Sequence, residues 1–306
     1  MKNTKVYLMS TENVKDPRTF LSWKEYLPKE RWKKTVRPIK EEDRKTELAA
    51  WLLLYQVLKE WGISEEKINI DGSYCYGEHG KPMRKDEKVC FNLSHSGKYV
   101  LCAVAETEIG CDIEKVKEVK WKLAKRFFSE EEYDFLERLG RQEEIIKREK
   151  ISEQGKIAKQ EEVDKQERIV KQEEVGKQQN VDKQKEKEEI KRNVYTVAEA
   201  FTRFWVLRES YVKKTGEGLG VALSGLDFSD IFNYNNTRAR ACLKNHSNNL
   251  HTPICQTRSE GKKNGEFLKE TFFEMEYDGY RIAICGEKVS KPEFYVCSGT
   301  IDNCFL

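Results

Sequence analysis

Apolar and polar positions divide this chain into segments with distinct periods. Lys5–Ser10 is a short apolar run and predicts a first strand. From Glu41 to Trp61, EEDRKTELAAWLLLYQVLKEW, apolar residues recur at helical spacing among strong helix formers, which predicts a long amphipathic helix. Gly77–Pro82, GEHGKP, predicts a turn leading toward a strand at Phe91. The best-defined pattern lies in Phe91–Glu114, FNLSHSGKYVLCAVAETEIGCDIE. It predicts a turn at Ser94-His95-Ser96-Gly97 and then a strand over Tyr99–Ala105, apolar enough to be buried on both faces. A second strand ends in Gly110-Cys111-Asp112-Ile113-Glu114, where a period of two sends Asp112 and Glu114 to one face and Cys111 and Ile113 to the other. Two carboxylates side by side repel each other, so a cation is expected between them.

Trp121–Leu139 predicts a helix or helical turns with Phe127 and Phe128 packed inward. Between residues 141 and 192 the aromatic residues vanish and a six-residue repeat appears, with Lys159, Lys165, Lys171 and Lys177 opening units that end in Val163, Ile169, Val175 and Val181. Six residues at about 100° each turn a helix by ~600°, so the apolar positions step round the axis and leave no face to bury. A charged, fraying helix or a disordered tether is expected there. In Phe201–Gly220, FTRFWVLRESYVKKTGEGLG, residues Trp205, Glu209 and Lys213 share one face of a helix that stops at Gly216. Leu223–Ile231 predicts a return to strand, residues 233–265 are polar and rich in turn formers, and Phe272–Cys285 predicts a hairpin around Asp278-Gly279. The tail to Leu306 is expected to add little.

Composition narrows the function classes. The 56 basic and 53 acidic residues of this 306-residue chain nearly cancel, and a net charge of +3 argues against nucleic acid as a partner. There is no N-terminal apolar segment of signal-peptide type and no apolar run long enough to span a bilayer, so the expectation is a cytoplasmic protein without a membrane partner. The nine cysteines, odd in number and scattered, suit a reducing compartment, where sequons at Asn92 and Asn235 carry no meaning.

Read alone, each candidate residue has a plain structural explanation. Asp112 and Glu114 could be a solvated strand face, and Glu209 with Lys213 an exposed i,i+4 ion pair worth ~0.3–0.5 kcal/mol. The basic stretch Lys29–Lys34, with Arg31 and Lys34, and the pair Arg44-Lys45 could be solvated surface or could grip phosphates through charge-assisted hydrogen bonds. Ser94-His95-Ser96 is not a serine nucleophile, because no GxSxG elbow surrounds it. Glycines 216, 218 and 220 follow a helix instead of a strand and form no dinucleotide fingerprint. Cys242, His246, His251 and Cys255 are all zinc-compatible types, but their spacing matches no standard zinc module.

The pieces SHSG, GxDIE and WxxxExxxK stand in an order and spacing that resemble the Sfp-type 4′-phosphopantetheinyl transferases. Gly80-Lys81-Pro82, Ala124–Ser129 and Gly216-Glu217-Gly218-Leu219 add to the match. The resemblance implies an α+β fold of two similar halves related by a pseudo-twofold axis, with the active site at their interface. The halves would be residues 1–106, which anchor coenzyme A, and 107–306, which hold Mg²⁺ and catalysis. Inserts at 141–192 and 233–265 would interrupt the second half. The implied reaction moves the phosphopantetheine arm of coenzyme A onto a serine of an apo acyl or peptidyl carrier protein and releases 3′,5′-ADP. By resemblance, Asp112, Glu114 and Glu209 would hold Mg²⁺, Glu209 would be the general base, and Lys213 and His95 would contact the phosphates. Lys81, Pro82, Ser94, Arg31, Lys34 and either Arg44 or Lys45 would hold the nucleotide. Arg208 stands where many members have lysine. A monomer is expected. The rival expectation is a binding protein for carrier or coenzyme that has lost catalysis.

Overall fold

Two four-stranded sheets, each backed by one long helix, organise the α+β structure. The computed structural model describes residues 4–86, 89–167, 195–218, 223, 225–233, 257–287 and 291–297, with the backbone alone over 153–167, at 233 and at 257. The first sheet has the order β13-β1-β5-β4, built from β1 (Lys5–Ser10), β4 (Cys90–Ser96), β5 (Tyr99–Ala105) and β13 (Glu293–Cys297). The second runs β6-β12-β11-β8, from β6 (Ile109–Lys115), β8 (Thr257–Ser259), β11 (Thr271–Tyr277) and β12 (Tyr280–Gly286).

The all-apolar β5 behaves as its composition requires. Val100, Cys102 and Val104 join the core under α2 (Glu41–Glu60), while Tyr99, Leu101, Ala103 and Ala105 join a second cluster with Cys111 and Ile113 of β6 and Ile282 and Ile284 of β12. A strand that feeds two cores has no polar face to spare. A third cluster packs α6 (Val197–Thr215) onto Phe272, Ala283 and Cys285. The helix α6 starts on a reciprocal capping box between Thr196 and Glu199 and ends at Gly216, whose φ of 75° lies in the left-handed region.

Several expectations hold to within a residue. The first strand, the long helix, β5 and the hairpin β11–β12 around Asp278-Gly279 stand where the pattern puts them, with Asp278 and Gly279 both at positive φ. Gly77–Gly80 is the tip of a hairpin between β2 (Tyr74–Tyr76) and β3 (Pro82–Arg84).

Others need correction. Ser94, His95 and Ser96 are the end of β4 rather than a turn; the turn is Gly97-Lys98. Polar residues at alternate positions read as turn chemistry because their true partners lie on a strand distant in sequence. The tail is not idle, since β13 pairs in parallel with β1, from Lys5 opposite Glu293 to Met9 opposite Cys297. Leu223–Ile231 supplies only the two-residue strand β7 (Leu226–Asp227) before a helical turn at Asp230–Asn233. Trp121–Leu139 divides into α4 (Trp121–Phe127) and the start of α5 (Glu130–Glu167) at Ser129, which forms its own capping box with Glu132. The helix α5, 38 residues long, runs on into the charged insert. Within it, the side chains of 147–152 are all exposed, as expected for a sequence with no apolar face.

Candidate active site

The site is assembled where β4, β6 and α6 meet. Along β6 the backbone N–H groups of Cys111, Ile113 and Lys115 donate to Asn92 Oδ1, Ser94 Oγ and Ser96 Oγ at 2.9, 3.3 and 3.1 Å. Side chains at alternate positions of β4 thus replace a backbone ladder and fix the two strands in register. The same hydroxyls turn toward the carboxylates. Ser94 donates to Asp112 Oδ1 at 2.8 Å, and Ser96 donates to Glu114 Oε2 at 2.9 Å. The period-two reading of β6 is therefore right, and the face carrying Asp112 and Glu114 is not a solvated one: Asp112 is 3% exposed.

Gly110 sets the distance to the helix. A Cβ there would lie 2.0 Å from the Ser210 carbonyl oxygen and 2.4 Å from the Lys214 nitrogen, so only glycine lets α6 lie this close to β6. The close approach delivers Lys213, whose Nζ donates to Asp112 Oδ1 at 2.6 Å and to Ser94 Oγ at 2.8 Å. Lys213 thus places a cation against Asp112. The i,i+4 ion pair between Glu209 and Lys213 is not what forms. Asp112 takes the ammonium instead, and its second oxygen, Oδ2, is buried with no hydrogen-bond partner.

Glu209 completes the group. Burial, then the charges of Asp112 and Glu114, push its carboxyl up to about 7, against the opposing pull of Lys213. Glu114 is raised for the same two reasons, burial and Asp112. Burial would lower the Lys213 ammonium, but Asp112 and Glu209 outweigh it and hold the pKa above the usual lysine value. On the far side of β4, the His95 imidazole is depressed by desolvation and by the Lys213 charge.

Among the described residues, no three His, Cys, Asp or Glu side chains are gathered tightly enough to hold a metal ion as they stand. The donor chemistry nevertheless fits a hard divalent cation. Three carboxylates are coupled electrostatically, and one of them keeps an unpartnered buried oxygen. Cys242, His246, His251 and Cys255 lie outside the described residues.

The expected anion-binding residues fall into two groups. Lys81 donates to the Lys214 carbonyl at 3.0 Å and to Glu108 at 3.1 Å, tying the β2–β3 hairpin to the last turn of α6. Beside it opens a cavity of ≈ 930 Å³ lined in part by Met83, Phe91, Glu106 and Lys214, but not by Asp112, Glu114 or Glu209. On α1 (Lys29–Thr35), Arg31 pairs with Glu47 and lies over the Trp51 ring at 4.6 Å. Lys34 sits 4.3 Å from the ring centre of Tyr76, the residue paired with Pro82 across the hairpin. Arg44 is committed elsewhere. It is 6% exposed, pairs with Asp16 and caps the Pro38 and Ile39 carbonyls. Its neighbour Lys45 makes an i,i+4 pair with Glu41 at 2.7 Å.

Arg208, the departure noted in the sequence, is fully buried. It donates to Glu132, to the Phe127, Phe204 and Leu226 carbonyls, and stacks on Phe128 at 4.5 Å. It is part of the core and not of the site. Sequence reasoning missed Asn92, Ser96 and Gly110. The alternation of polar residues at 92, 94 and 96 was the available signal for the first two.

Comparison with known proteins agrees with this geometry. Residues 15–107 match the family model described as 4′-phosphopantetheinyl transferase, N-terminal, and residues 149–285 match that of the 4′-phosphopantetheinyl transferase superfamily. Lys81 and His95 fall in the first match, Glu209 and Lys213 in the second, and Asp112 and Glu114 between them. The chain is similar to 4′-phosphopantetheinyl transferase Sfp of Bacillus subtilis strain 168, 37% identical over 98 residues, which is 32% of this chain and 42% of Sfp. It is also similar to gsp of Aneurinibacillus migulanus, 34% identical over 36% of this chain and 45% of gsp. With ffp of Bacillus subtilis the identity is 24%, but the match covers 83% of this chain and 79% of ffp. The chain thus spans less than half the length of Sfp and gsp in those matches.

Proposed function

Because the chain belongs to the 4′-phosphopantetheinyl transferase superfamily, we propose that it transfers the phosphopantetheine arm of coenzyme A to a serine hydroxyl of an acyl or peptidyl carrier protein. The observation that supports this most directly is the convergence of Asp112, Glu114, Glu209 and Lys213 at the contact of α6 with β6. Ser94 and Ser96 of the first sheet meet Asp112 and Glu114 of the second there, which favours the reading of two related halves with a site at their junction.

In the reaction, the carrier serine Oγ attacks the β-phosphorus of the coenzyme pyrophosphate. A P–O bond to serine forms, the bridging P–O bond breaks, and 3′,5′-ADP departs with the electron pair. The serine proton goes to Glu209, the carboxylate that α6 brings to the site. The Lys213 ammonium and the neutral imidazole of His95 donate to phosphate oxygens and hold the pyrophosphate in line. Ser94 and Ser96 hold Asp112 and Glu114 in place. Asp112, Glu114 and Glu209 would bind Mg²⁺, which when bound supplies charge neutralisation for the departing phosphate. Among the nucleotide anchors, the half-buried Lys45 is favoured over Arg44, since Arg44 already orders the segment before α2. Arg31, Lys34, Lys81 and Pro82 complete the proposed anchor set.

The test is the intact mass of apo carrier proteins after incubation with the protein, coenzyme A and Mg²⁺. A gain of about 340 Da, the mass of one phosphopantetheine arm, that disappears when the carrier serine is alanine is the expected result. No gain across fatty-acid, polyketide and peptide carriers would leave binding without transfer as the better account.

A further inference from the structure

Lys214 follows Lys213 in the last turn of α6, but its side chain reaches different partners. Thr271 pairs with Gly286 across the β11–β12 hairpin, so Glu270 and Glu287 come next at the open end of that ladder. Like charges placed there repel, and the Lys214 ammonium meets both, Glu270 at 2.9 Å and Glu287 at 3.5 Å. The Lys214 and Glu270 side chains are only 11% and 10% exposed. Burial pulls the ammonium down, but Glu270 and then Glu287 outweigh it and hold the pKa above the usual lysine value. The backbone of the same residue is held twice more. Its nitrogen packs on Gly110 of β6 so closely that no Cβ fits between them. Its carbonyl, of the kind that a helix end leaves without an intrahelical partner, accepts Lys81 Nζ from the β2–β3 hairpin at 3.0 Å. A strand, the end of a ladder and a separate hairpin thus close on one residue.

We propose that Lys214 is a positioning residue, which pins the last turn of α6 so that Lys213 is held at one place against β6. Its ammonium touches none of the groups assigned to the reaction and acts through the backbone it shares with Lys213. Helix ends fray, and Lys213 stands just before the last residue of α6, Thr215, so an untied last turn would let it wander. The tie is made to the right body. Its carboxylates flank β11 and β12, and β12 pairs with β6 from Tyr280 opposite Lys115 to Gly286 opposite Ile109. The pin and Asp112 therefore belong to one sheet, and fixing Lys214 to that sheet fixes where Lys213 stands relative to Asp112. Placement matters because a shift of about 1 Å at a reacting group costs as much as ~10²-fold in rate. This inference rests on the transferase reading above.

The experiment measures carrier modification by the full chain with coenzyme A and Mg²⁺, well below the melting temperature of every variant, and the melting temperatures beside it. Lys214→Met should lower kcat at least about tenfold, with KM for the carrier unchanged. It also strands the Glu270 carboxylate, so the melting temperature should fall. Lys214→Met combined with Glu270→Gln removes the stranded charge, and the melting temperature should then recover in part while kcat stays low. Lys214→Arg, which keeps a cation between the two carboxylates, should restore most of the rate. A kcat that recovers together with the melting temperature in the double variant, or that never falls, overturns the positioning role. Hydrogen exchange needs no substrate and should quicken in the last turn of α6 in the double variant; unchanged exchange overturns the pin. If the wild type modifies no carrier, the transferase reading falls and the positioning role with it, a failure distinct from that of an active wild type with indifferent variants.

Discussion

Five residues apart on α6, two basic side chains reach buried carboxylates and meet opposite fates. Arg208 pairs with Glu132 in a closed network. The guanidinium spends itself on one carboxylate and three backbone carbonyls, while Glu132 also accepts the Ser129 and Phe228 N–H groups at 2.8 Å. Lys213 pairs with Asp112 in an open cluster, with one carboxylate oxygen orphaned and two further carboxylates crowding it. Both are buried ion pairs, and by count of salt bridges they are equal. What separates them is closure. A satisfied buried pair fixes the fold, and an unsatisfied one is poised for a ligand.

The sharpest way to break that comparison is to remove one carboxylate from the open cluster. Glu209→Gln should lower the rate of carrier modification by a factor of about 10²–10⁴, the usual value of a positioned base, with coenzyme binding largely kept. It should also change stability in a direction set by the raised pKa. Unfolded glutamate titrates near 4.3, whereas folded Glu209 titrates at about 7, so between those values the folded chain holds a proton that the unfolded chain has released. Wild-type stability without metal therefore falls as pH rises through this window, and the glutamine variant lacks the fall. Melting temperatures of both proteins at pH 5 and pH 8 check this, and parallel changes in the two would remove Glu209 from the cluster.

Next in size is the closed pair. Arg208→Met should leave Glu132 uncompensated in the core and cost ~3–5 kcal/mol of unfolding free energy in urea titration. Adding Glu132→Gln to that variant should recover part of the loss, because the stranded charge is then gone. A loss below ~1 kcal/mol in the single variant would mean that the network is not closed in solution.

How much of this was legible in the sequence follows the same division. Local periods gave β1, α2, β5 and the Asp278-Gly279 hairpin, because each of those is decided by near neighbours. The pairing of Asp112 with Glu114 on one face was equally local. What the pattern could not carry was long-range partnership. Ser94–Ser96 looked like a turn because the N–H groups they serve lie some 19 residues away, on β6. The tail looked idle because β13 finds its partner at the other end of the chain. Arg208 and Lys213 looked alike as cations on one helix, and only the surroundings of their carboxylates distinguish them. Lys81 was expected at the cofactor, and its placement against the end of α6 came from the fold alone.

The smallest effect is expected from the largest deletion, and it extends the comparison from paired charges to a whole segment of charges. The carboxylate of Glu143, on α5, accepts the N–H of Val197, the first residue of α6, at 2.6 Å. Glu143 and Val197 are thus neighbouring points of the fold, and the side chains at 147–152 are exposed. Their charges, such as Arg148 beside Glu144 at 3.8 Å, form surface i,i+4 pairs worth a few tenths of a kcal/mol at most. Replacing residues 150–192 with a short Gly-Ser linker removes no core contact among the described residues. The entropy of closing the new linker grows only slowly with its length. Unfolding free energy should change by less than about 1 kcal/mol, and carrier modification should proceed at the wild-type rate. If instead the Michaelis constant for the carrier rises while that for coenzyme A holds, the insert is a docking element, and its exposed charges belong with the open cluster on the functional side of the comparison.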